Sequence, residues 1–323
     1  MTRKTRASPE ARPKVLTLWL DWYYGHQNSV VESTEQTFWG HGLMQELGFE
    51  EVHVGMEQAV KDRASAEARI REHAPYDWCF IGPFQDILPW VKPLVAPAPV
   101  LVWMSDDAWR FSDFGRYWMP AADFIATTHE PAVEKYRSAG FSGAILTNWA
   151  CRPQWAKWGT VDGKAAEASF CGILYGSRRD QLREIAEAGP VPVRWVNCWP
   201  SPTPPETYHE MMSQYAFALA LTMSSHGPRQ TKARLFEPQI HGTILLTEPA
   251  PRLADYWKVD EECLTFENAA EAQAKMQDIL RDPFRMGAMR VAALKRLLAE
   301  HTWRKRLGDI LMEMKVLPPT EAT

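Results

Sequence analysis

The chain of 323 residues lacks the features that would assign it to a membrane, metal-binding or disulfide-stabilised class. No segment approaches the roughly 20 apolar residues of a membrane-spanning helix. It has only five cysteines, an odd number, and no two of them have Cys-x-x-Cys spacing. Three cysteines lie in apolar runs typical of buried strands, so we interpret them as core residues in a reducing compartment. We therefore predict no metal site.

A signal peptide and a strong charge of either sign are also missing. Residues 1–14 are basic and contain two prolines without an apolar stretch, which predicts a disordered basic arm and a cytoplasmic protein. The formal net charge is −4, from 36 basic and 40 acidic residues, which argues against a polyanion such as DNA as the main partner. The hydrophobic fraction of 46% and the length are typical of a globular protein with two domains.

What the sequence does contain is an alternation of apolar runs and helical patterns, interrupted by a polar stretch at 151–164. Strands are predicted at 15–20, 51–54, 77–81, 100–104, 123–127 and 144–146, then at 170–175, 191–198, 217–222, 243–246 and 263–266. Strands that are apolar throughout and alternate with helices indicate parallel sheets covered on both faces. The sequence thus predicts an α/β protein with two Rossmann-like, doubly wound domains, 15–150 and 151–285, facing a central cleft. Residues 286–323 are predicted to form C-terminal helices.

Ligands of open parallel sheets bind beyond the carboxyl ends of the strands, near helix N-termini, so the loops after strands hold the candidates. In the second domain, Gly176-Ser177-Arg178-Arg179 follows a strand and begins a helix. Two arginines there suit a diphosphate, which they can hold through bidentate, charge-assisted bonds. The tetrapeptide alone favours the alternative, a solvated helix start with an arginine paired to a nearby acid.

A second group of charges lies between a loop at 224–228 and the strand at 243–246. We predict a short helix there, which ends at a glycine before the buried strand. Lys232 and Arg234 on this helix suit a phosphate, and Glu237 suits the two hydroxyls of a ribose. A surface ion pair on one helix is the alternative for the glutamate. The candidates from this region are His226, Arg229, Lys232, Arg234, Glu237 and Gly242.

In the first domain, Asp106 and Asp107 follow the most apolar strand. One is expected to cap the next turn. The other is expected to position an acceptor hydroxyl or to take its proton. His26 and His226 are further candidates for this proton transfer, whereas His41, placed inside a predicted helix, is interpreted as structural.

Four segments together resemble a known enzyme family. They are KARLFEPQIHGTILLTE at 232–248, ILYGSRR at 173–179, LVWMSDD at 101–107 and HTWRKR at 301–306. These segments resemble the CgeB-like glycosyltransferases, which are related to the large retaining group with the GT-B fold. The resemblance covers about the last two hundred residues in register and the first hundred more loosely.

The resemblance implies a metal-independent GT-B enzyme that moves a sugar from a nucleotide-diphosphate donor, of the UDP or dTDP type, to an acceptor hydroxyl. It implies that Glu237 binds the donor ribose, and that Arg178 or Arg179 binds the diphosphate with Lys232 or Arg234. No cofactor besides the donor is expected. It also implies that the last helix crosses back onto the first domain.

The chain departs from the wider retaining group at one position. A second acid stands eight positions before the ribose-binding glutamate in that group, and here the position is Arg229. The donor sugar and the stereochemical outcome are therefore left open. The expected acceptor is a glycan, a lipid-linked molecule or a small molecule, with a modified DNA base less favoured. A sugar-nucleotide epimerase and a non-catalytic nucleotide-sugar binding protein are the alternatives on this fold.

Overall fold

The computed structural model describes residues 12–25, 29, 31–158, 163–224 and 226–318. The strands are β1 (Lys14–Trp19), β2 (Glu50–Gly55), β3 (Trp78–Ile81), β4 (Val100–Met104), β5 (Phe124–Thr127), β6 (Ala144–Leu146), β7 (Ala165–Gly172), β8 (Val193–Asn197), β9 (Tyr215–Ala220), β10 (Ile244–Thr247) and β11 (Leu264–Thr265). The α-helices are α1 (Thr34–Trp39), α2 (Leu43–Glu46), α3 (Met56–Lys61), α4 (Arg63–His73), α5 (Val91–Val95), α6 (Asp107–Arg110), α7 (Glu130–Ser138), α8 (Arg178–Glu187), α9 (Pro205–Gln214), α10 (Leu253–Tyr256), α11 (Ala269–Arg281), α12 (Pro283–Glu300) and α13 (Trp303–Glu313).

The strands form two parallel sheets, in the orders β2-β1-β3-β4-β5-β6 and β11-β10-β9-β7-β8. In each sheet the chain moves first to one side of its starting strand and then to the other, so both sheets are doubly wound. This confirms the predicted fold class. The direction of winding reverses between β1 and β3 and between β7 and β9, and such reversals leave a crevice at the carboxyl ends of the strands.

The predicted strands are all present, with differences at their ends. The largest is at β7, which begins at Ala165 and ends at Gly172, whereas the predicted run was 170–175. Its first residues are exposed, so they carry no apolar pattern from which a strand is predicted. His41 is a second correction, because it lies between α1 and α2 with a φ of 52° rather than inside a helix. Gly40 and Gly42 on either side of it interrupt the helical pattern.

The C-terminal helices connect the two domains. α12 packs against α11 and β10 of the second domain, and α13 packs against α2 of the first domain. The chain crosses beside the linker, where the Cys151 amide donates to the His301 carbonyl and the Trp303 amide donates to the Cys151 carbonyl, both at 2.9 Å. The predicted return of the last helix to the first domain is confirmed. The domain boundaries at 150 and 285 stay predictions, and most of the predicted arm at 1–14 lies outside the described residues.

Trp303 anchors this crossing in the core of the first domain. Its side chain is 0% exposed. Its ring centroid lies 5.3 Å from Phe38, 5.8 Å from Trp39, 5.1 Å from Trp103 and 6.3 Å from Trp149. Aromatic pairs in this distance range add to the stability gained by burying their area. The hydrophobic cluster that contains these rings also contains Phe236 and Trp257 of the second domain, so the two domains share one core.

Candidate functional site

A cavity of about 450 Å³ lies between the domains, where the carboxyl ends of the two sheets face each other. The first-domain wall comes from the loops after β1, β3 and β4 and from α1. The second-domain wall comes from the loops after β7, β8 and β9 and from α9. The polar residues of the first-domain wall are Tyr24, Glu32, Glu35, Asp106 and Asp107. Those of the second-domain wall are Arg178, Lys232, Arg234, Glu237 and Tyr208.

Arg234 is the cation of the second-domain wall with the fewest partners. Its guanidinium carbon lies 4.6 Å from the centroid of the Phe170 ring. Its Nε is buried without a hydrogen-bond partner in the described part of the chain. Burial opposes the charged form, but Tyr208 and Glu237 more than offset this, so the pKa of Arg234 is raised above its ordinary value. The guanidinium is thus charged and half-buried, and its Nε is available to an anion.

Gly172, the last residue of β7, makes room for this guanidinium. A side chain at that position would overlap Nη2 of Arg234. Glycine without a Cβ permits such a close approach. The strand end and the arginine are therefore matched in shape, although the sequence pattern marked neither Gly172 nor the packing.

Lys232 lies beside Arg234 and donates to the side-chain oxygen of Gln230. Burial, together with the charges of Arg178 and Arg234, lowers the pKa of Lys232 to about 8. A lowered lysine pKa means that the site disfavours one more positive charge. An anion placed among these three cations would relieve the repulsion.

Arg178 lines the cavity, but most of its hydrogen bonds are made to backbone. Its guanidinium donates to the carbonyls of Ile173 at 3.0 Å, Leu221 at 3.0 Å and Met223 at 3.1 Å. It also lies 3.8 Å over the ring of Tyr175. Burial and Arg234 lower the pKa of Arg178 to about 10. Arg178 therefore joins the loops after β7 and β9 and adds positive charge to the cavity.

Glu237 is 4% exposed and lies between two 3-10 turns, Ala233–Leu235 and Pro238–His241. The single short helix that we predicted is wrong, because Pro238 has no N–H with which to continue an α-helix. The carboxylate accepts a hydrogen bond of 2.5 Å from the hydroxyl of Tyr208. Burial raises the pKa of Glu237, and the Tyr208 bond and Arg234 oppose that rise.

Five predicted residues do not line the cavity: Gly176, Arg179, His226, Arg229 and Gly242. Gly176 and Arg179 are exposed, since neighbouring residues on a helix start point in different directions. Gly242 ends the turn Pro238–His241 with a φ of 64°. Their ligand roles therefore have no geometric support at this cavity.

The other two residues outside the cavity have partners elsewhere. The ring of His226 stacks on Trp109 of α6 at 3.7 Å, which joins the two domains. Arg229 lies 4.0 Å from both Glu248 and Glu267 and donates to the Pro249 carbonyl at 3.1 Å. The charge of Arg229 is thus directed to carboxylates of its own domain.

The two aspartates predicted as catalytic differ in environment. Asp106 is exposed, lines the cavity, and makes no capping hydrogen bond although it is the N-cap residue of α6. Asp107 is 1% exposed and accepts a hydrogen bond of 2.8 Å from Thr127. Burial raises the pKa of Asp107 to about 7. Asp106 therefore does not make the capping hydrogen bond that was predicted for one of the two aspartates. His26, the third residue predicted as catalytic, lies outside the described residues.

Two cavity residues were missed as site candidates. Tyr208 comes from α9 and meets Glu237 only through the tertiary fold. Glu35 lies in the first turn of α1, and the sequence pattern there indicated only a helix start. Burial raises the pKa of Glu35 to about 7, and Glu57 and Asp106 add to this rise. No local motif distinguishes such a carboxylate from an ordinary acid in the first helical turn.

The cavity mouth is aromatic and joins the domains. Tyr24 lies 5.6 Å from Phe84 and 5.2 Å from Trp199, measured between ring centroids. The hydroxyl of Tyr23 donates to the carbonyl of Cys198 at 2.6 Å.

Within the described ranges, no group of three or more His, Cys, Asp or Glu side chains is placed to hold a metal ion. In those same ranges, no helix has the length and apolarity needed to span a bilayer.

A family model described as "Glycosyl transferase-like" matches residues 172–312, which contain most of the second domain and the whole second-domain wall. A search of curated proteins found no match. The match covers less than half of the chain, and it supports a glycosyltransferase without identifying the CgeB-like family.

Solved structures resemble the chain over almost its whole length. Alr3699/HepE of Anabaena, in complex with UDP, has a TM-score of 0.57 and 10% identity, over 94% of this chain and 100% of that one. Sucrose-phosphate synthase from Thermosynechococcus elongatus has a TM-score of 0.59 and 12% identity, over 94% and 99%. AviGT4, a glycosyltransferase involved in avilamycin A biosynthesis, has a TM-score of 0.57 and 12% identity, over 94% and 98%. The chain therefore has the GT-B fold, which is all that likeness at such identities establishes.

Proposed function

We propose that the protein is a CgeB-like glycosyltransferase, which transfers a sugar from a nucleoside diphosphate donor of the UDP or dTDP type to an acceptor hydroxyl. The observation that carries this proposal is the buried, unpartnered Nε of Arg234, beside Lys232 and Glu237 in the interdomain cavity. Arg234 helps to lower the pKa of the neighbouring Lys232, and an anion bound between the two cations would relieve this repulsion. A diphosphate is an anion of suitable charge, and the adjacent carboxylate suits the hydroxyls of a ribose.

The same groups favour departure of the diphosphate. As the bond between the sugar and the diphosphate breaks, negative charge develops on the leaving oxygen. Arg234 and Lys232 are already in place to stabilise that charge, so they bind the transition state more tightly than the ground state. We propose that these side chains supply the positive charge needed for departure without a metal ion. We propose that the first-domain wall binds the acceptor, which is a glycan, a lipid-linked molecule or a small molecule.

A panel of UDP- and dTDP-sugars tests the function directly. We expect the protein to bind at least one of them and to transfer its sugar to an acceptor or to water, as measured by release of the nucleoside diphosphate. Glu237→Gln should weaken donor binding about tenfold to a hundredfold, because a hydrogen bond to a charged group contributes ~1.5–3 kcal/mol. Glu206→Gln, on the exposed side of α9, is the matched control.

The other possible results of this experiment either contradict the proposed transfer reaction or indicate one of the alternative functions. Failure to bind any nucleotide sugar would contradict the proposal. An isomerised donor in the product mixture would indicate an epimerase. Binding without transfer or hydrolysis would indicate a non-catalytic binding protein.

Lys232 is expected to make donor binding depend on pH. Its pKa of about 8 means that it loses its charge as the pH rises through 8, whereas the diphosphate of a nucleotide sugar does not titrate there. Affinity for UDP-glucose should therefore fall between pH 7 and pH 9.5, by at most about tenfold per pH unit. Titration calorimetry at several pH values measures this, and Lys232→Arg should flatten the profile because arginine stays charged. A flat profile in the unmodified protein would show that Lys232 does not contact the donor.

A further inference from the structure

We propose that Glu35 is the catalytic base that takes the proton from the acceptor hydroxyl. This inference rests on the proposed glycosyltransferase function and adds a residue that the sequence pattern did not mark. The carboxylate of Glu35 lines the cavity from the first domain, beside Asp106, while the cations line it from the second domain. A hydroxyl placed between the two walls would have a proton acceptor on one side and the departing diphosphate on the other.

The turn that carries Glu35 is held firmly at the end of β1. The Ser33 amide donates to the Asp21 carbonyl at 3.0 Å, and the Ser33 hydroxyl donates to the Leu20 carbonyl. One turn later, the side-chain oxygen of Gln36 accepts a hydrogen bond of 2.8 Å from the Trp19 indole. Glu35 lies between these two anchors. A group that accepts a proton in a reaction needs this kind of fixed position.

The neighbouring carboxylates are engaged in other contacts. Glu32 lies 2.7 Å from the ring nitrogen of His41. Glu57 accepts hydrogen bonds from the backbone amides of Asp21 and Trp22 at 3.0–3.1 Å. The backbone amide of Glu35 and the side chain of Ser33 lie within hydrogen-bond reach of the Glu35 carboxylate and oppose the rise of its pKa. Glu35 forms no ion pair with a described basic side chain, so among these glutamates it combines a fixed position with the absence of a neutralising cation.

The electrostatic environment also suits proton transfer. Burial, followed by the charges of Glu57 and Asp106, raises the pKa of Glu35 to about 7. The hydroxyl of Tyr24 and the side chain of Ser33 are the other polar groups beside it. A base whose pKa is close to the working pH combines a large ionised fraction with strong proton affinity. Asp107, which is also raised to a pKa of about 7, accepts a hydrogen bond from buried Thr127 instead.

The step balances without any further reactant. The acceptor O–H bond breaks and its proton moves to the carboxylate of Glu35. The acceptor oxygen forms a bond to the anomeric carbon of the donor sugar, and the bond from that carbon to the diphosphate oxygen breaks. The electron pair leaves with the diphosphate, whose charge Arg234 and Lys232 stabilise. The neutral Glu35 then returns its proton to water.

Glu35→Gln, measured with the donor identified by the panel, tests this role. We expect kcat to fall about a hundredfold or more, as is typical for loss of general base catalysis. The donor Kd should stay within about threefold, because Glu35 lies outside the second-domain wall. Glu35→Asp should recover part of the lost kcat. Glu72→Gln, an exposed glutamate on α4, is the matched control and should behave like the unmodified protein.

A pH profile separates catalysis from a structural role. In the unmodified protein, kcat should fall about tenfold per unit as the pH drops below about 7, and Glu35→Gln should abolish that dependence. A Glu35→Gln enzyme with unchanged kcat and an unchanged acid limb would overturn the role of Glu35 and leave the transfer reaction standing. Absence of transfer and hydrolysis in the unmodified protein would overturn both. Carboxyl-labelled glutamate followed by carbon NMR gives a readout without turnover, in which no signal titrating near pH 7 would also overturn the proposal.

Discussion

Replacing Arg234 with methionine is expected to weaken nucleotide-sugar binding about a hundredfold, with a similar loss in kcat/KM. Arg234 is half-buried and its Nε has no hydrogen-bond partner in the described residues, so this donor is available to the diphosphate. A hydrogen bond to a charged group contributes ~1.5–3 kcal/mol, and the upper end corresponds to about a hundredfold in affinity. Methionine keeps the apolar packing against Phe170, so the change isolates the charge. Binding is measured by titration calorimetry with UDP and UDP-glucose.

Two further variants sharpen this experiment. Arg183→Met removes an exposed arginine of α8 and serves as the matched control, for which unchanged affinity is expected. Gly172→Ala leaves Arg234 present but places a methyl group where its guanidinium lies, so affinity should again fall. If Arg234→Met bound the donor as tightly as the unmodified protein, the diphosphate would have to lie elsewhere in the cavity.

Trp303→Ala is expected to cost about 3–5 kcal/mol of unfolding free energy, the usual loss for a fully buried Trp replaced by Ala. The side chain is 0% exposed and packs against four aromatic rings of the first domain. The substitution removes the largest of the four buried side chains of α13, so the attachment of this helix to the first domain should weaken. Urea unfolding followed by circular dichroism measures the loss.

The controls for this variant come from the same C-terminal region. Trp303→Phe keeps an aromatic ring and should lose less stability than Trp303→Ala. Phe284→Ala removes a side chain that is 92% exposed on α12, and it should change stability by no more than about 0.5 kcal/mol. A loss of less than about 1 kcal/mol for Trp303→Ala would show that the aromatic core does not hold the crossing.

The strands were predictable because parallel strands buried on both faces appear as continuous apolar runs. The same rule explains the error at β7, whose exposed first residues carry no such signal. The region of 232–241 was harder to predict, since its charges resembled a short helix, whereas it forms two 3-10 turns, the second of which begins at Pro238. Local sequence rules thus succeeded where burial dominates and failed where one backbone donor is missing.

The candidate site was predictable only in part. Lys232, Arg234 and Glu237 line the cavity, as a loop after a parallel strand leads one to expect. Arg179, however, is exposed while its neighbour Arg178 is buried, and a linear motif does not indicate which of two adjacent side chains faces a cleft. The ligand roles of these residues stay predictions until the binding experiments are done.

By itself, the sequence determined the α/β class, the two doubly wound sheets and the region of the second domain that carries the cations. These depend on periodicity and on strand-to-helix connections, which are local properties of the chain. Only the tertiary structure brought Tyr208 to Glu237 and Glu35 to the opposite wall. These positions depend on how the two domains and the returning helix pack together. That packing is set by contacts between residues far apart in the chain.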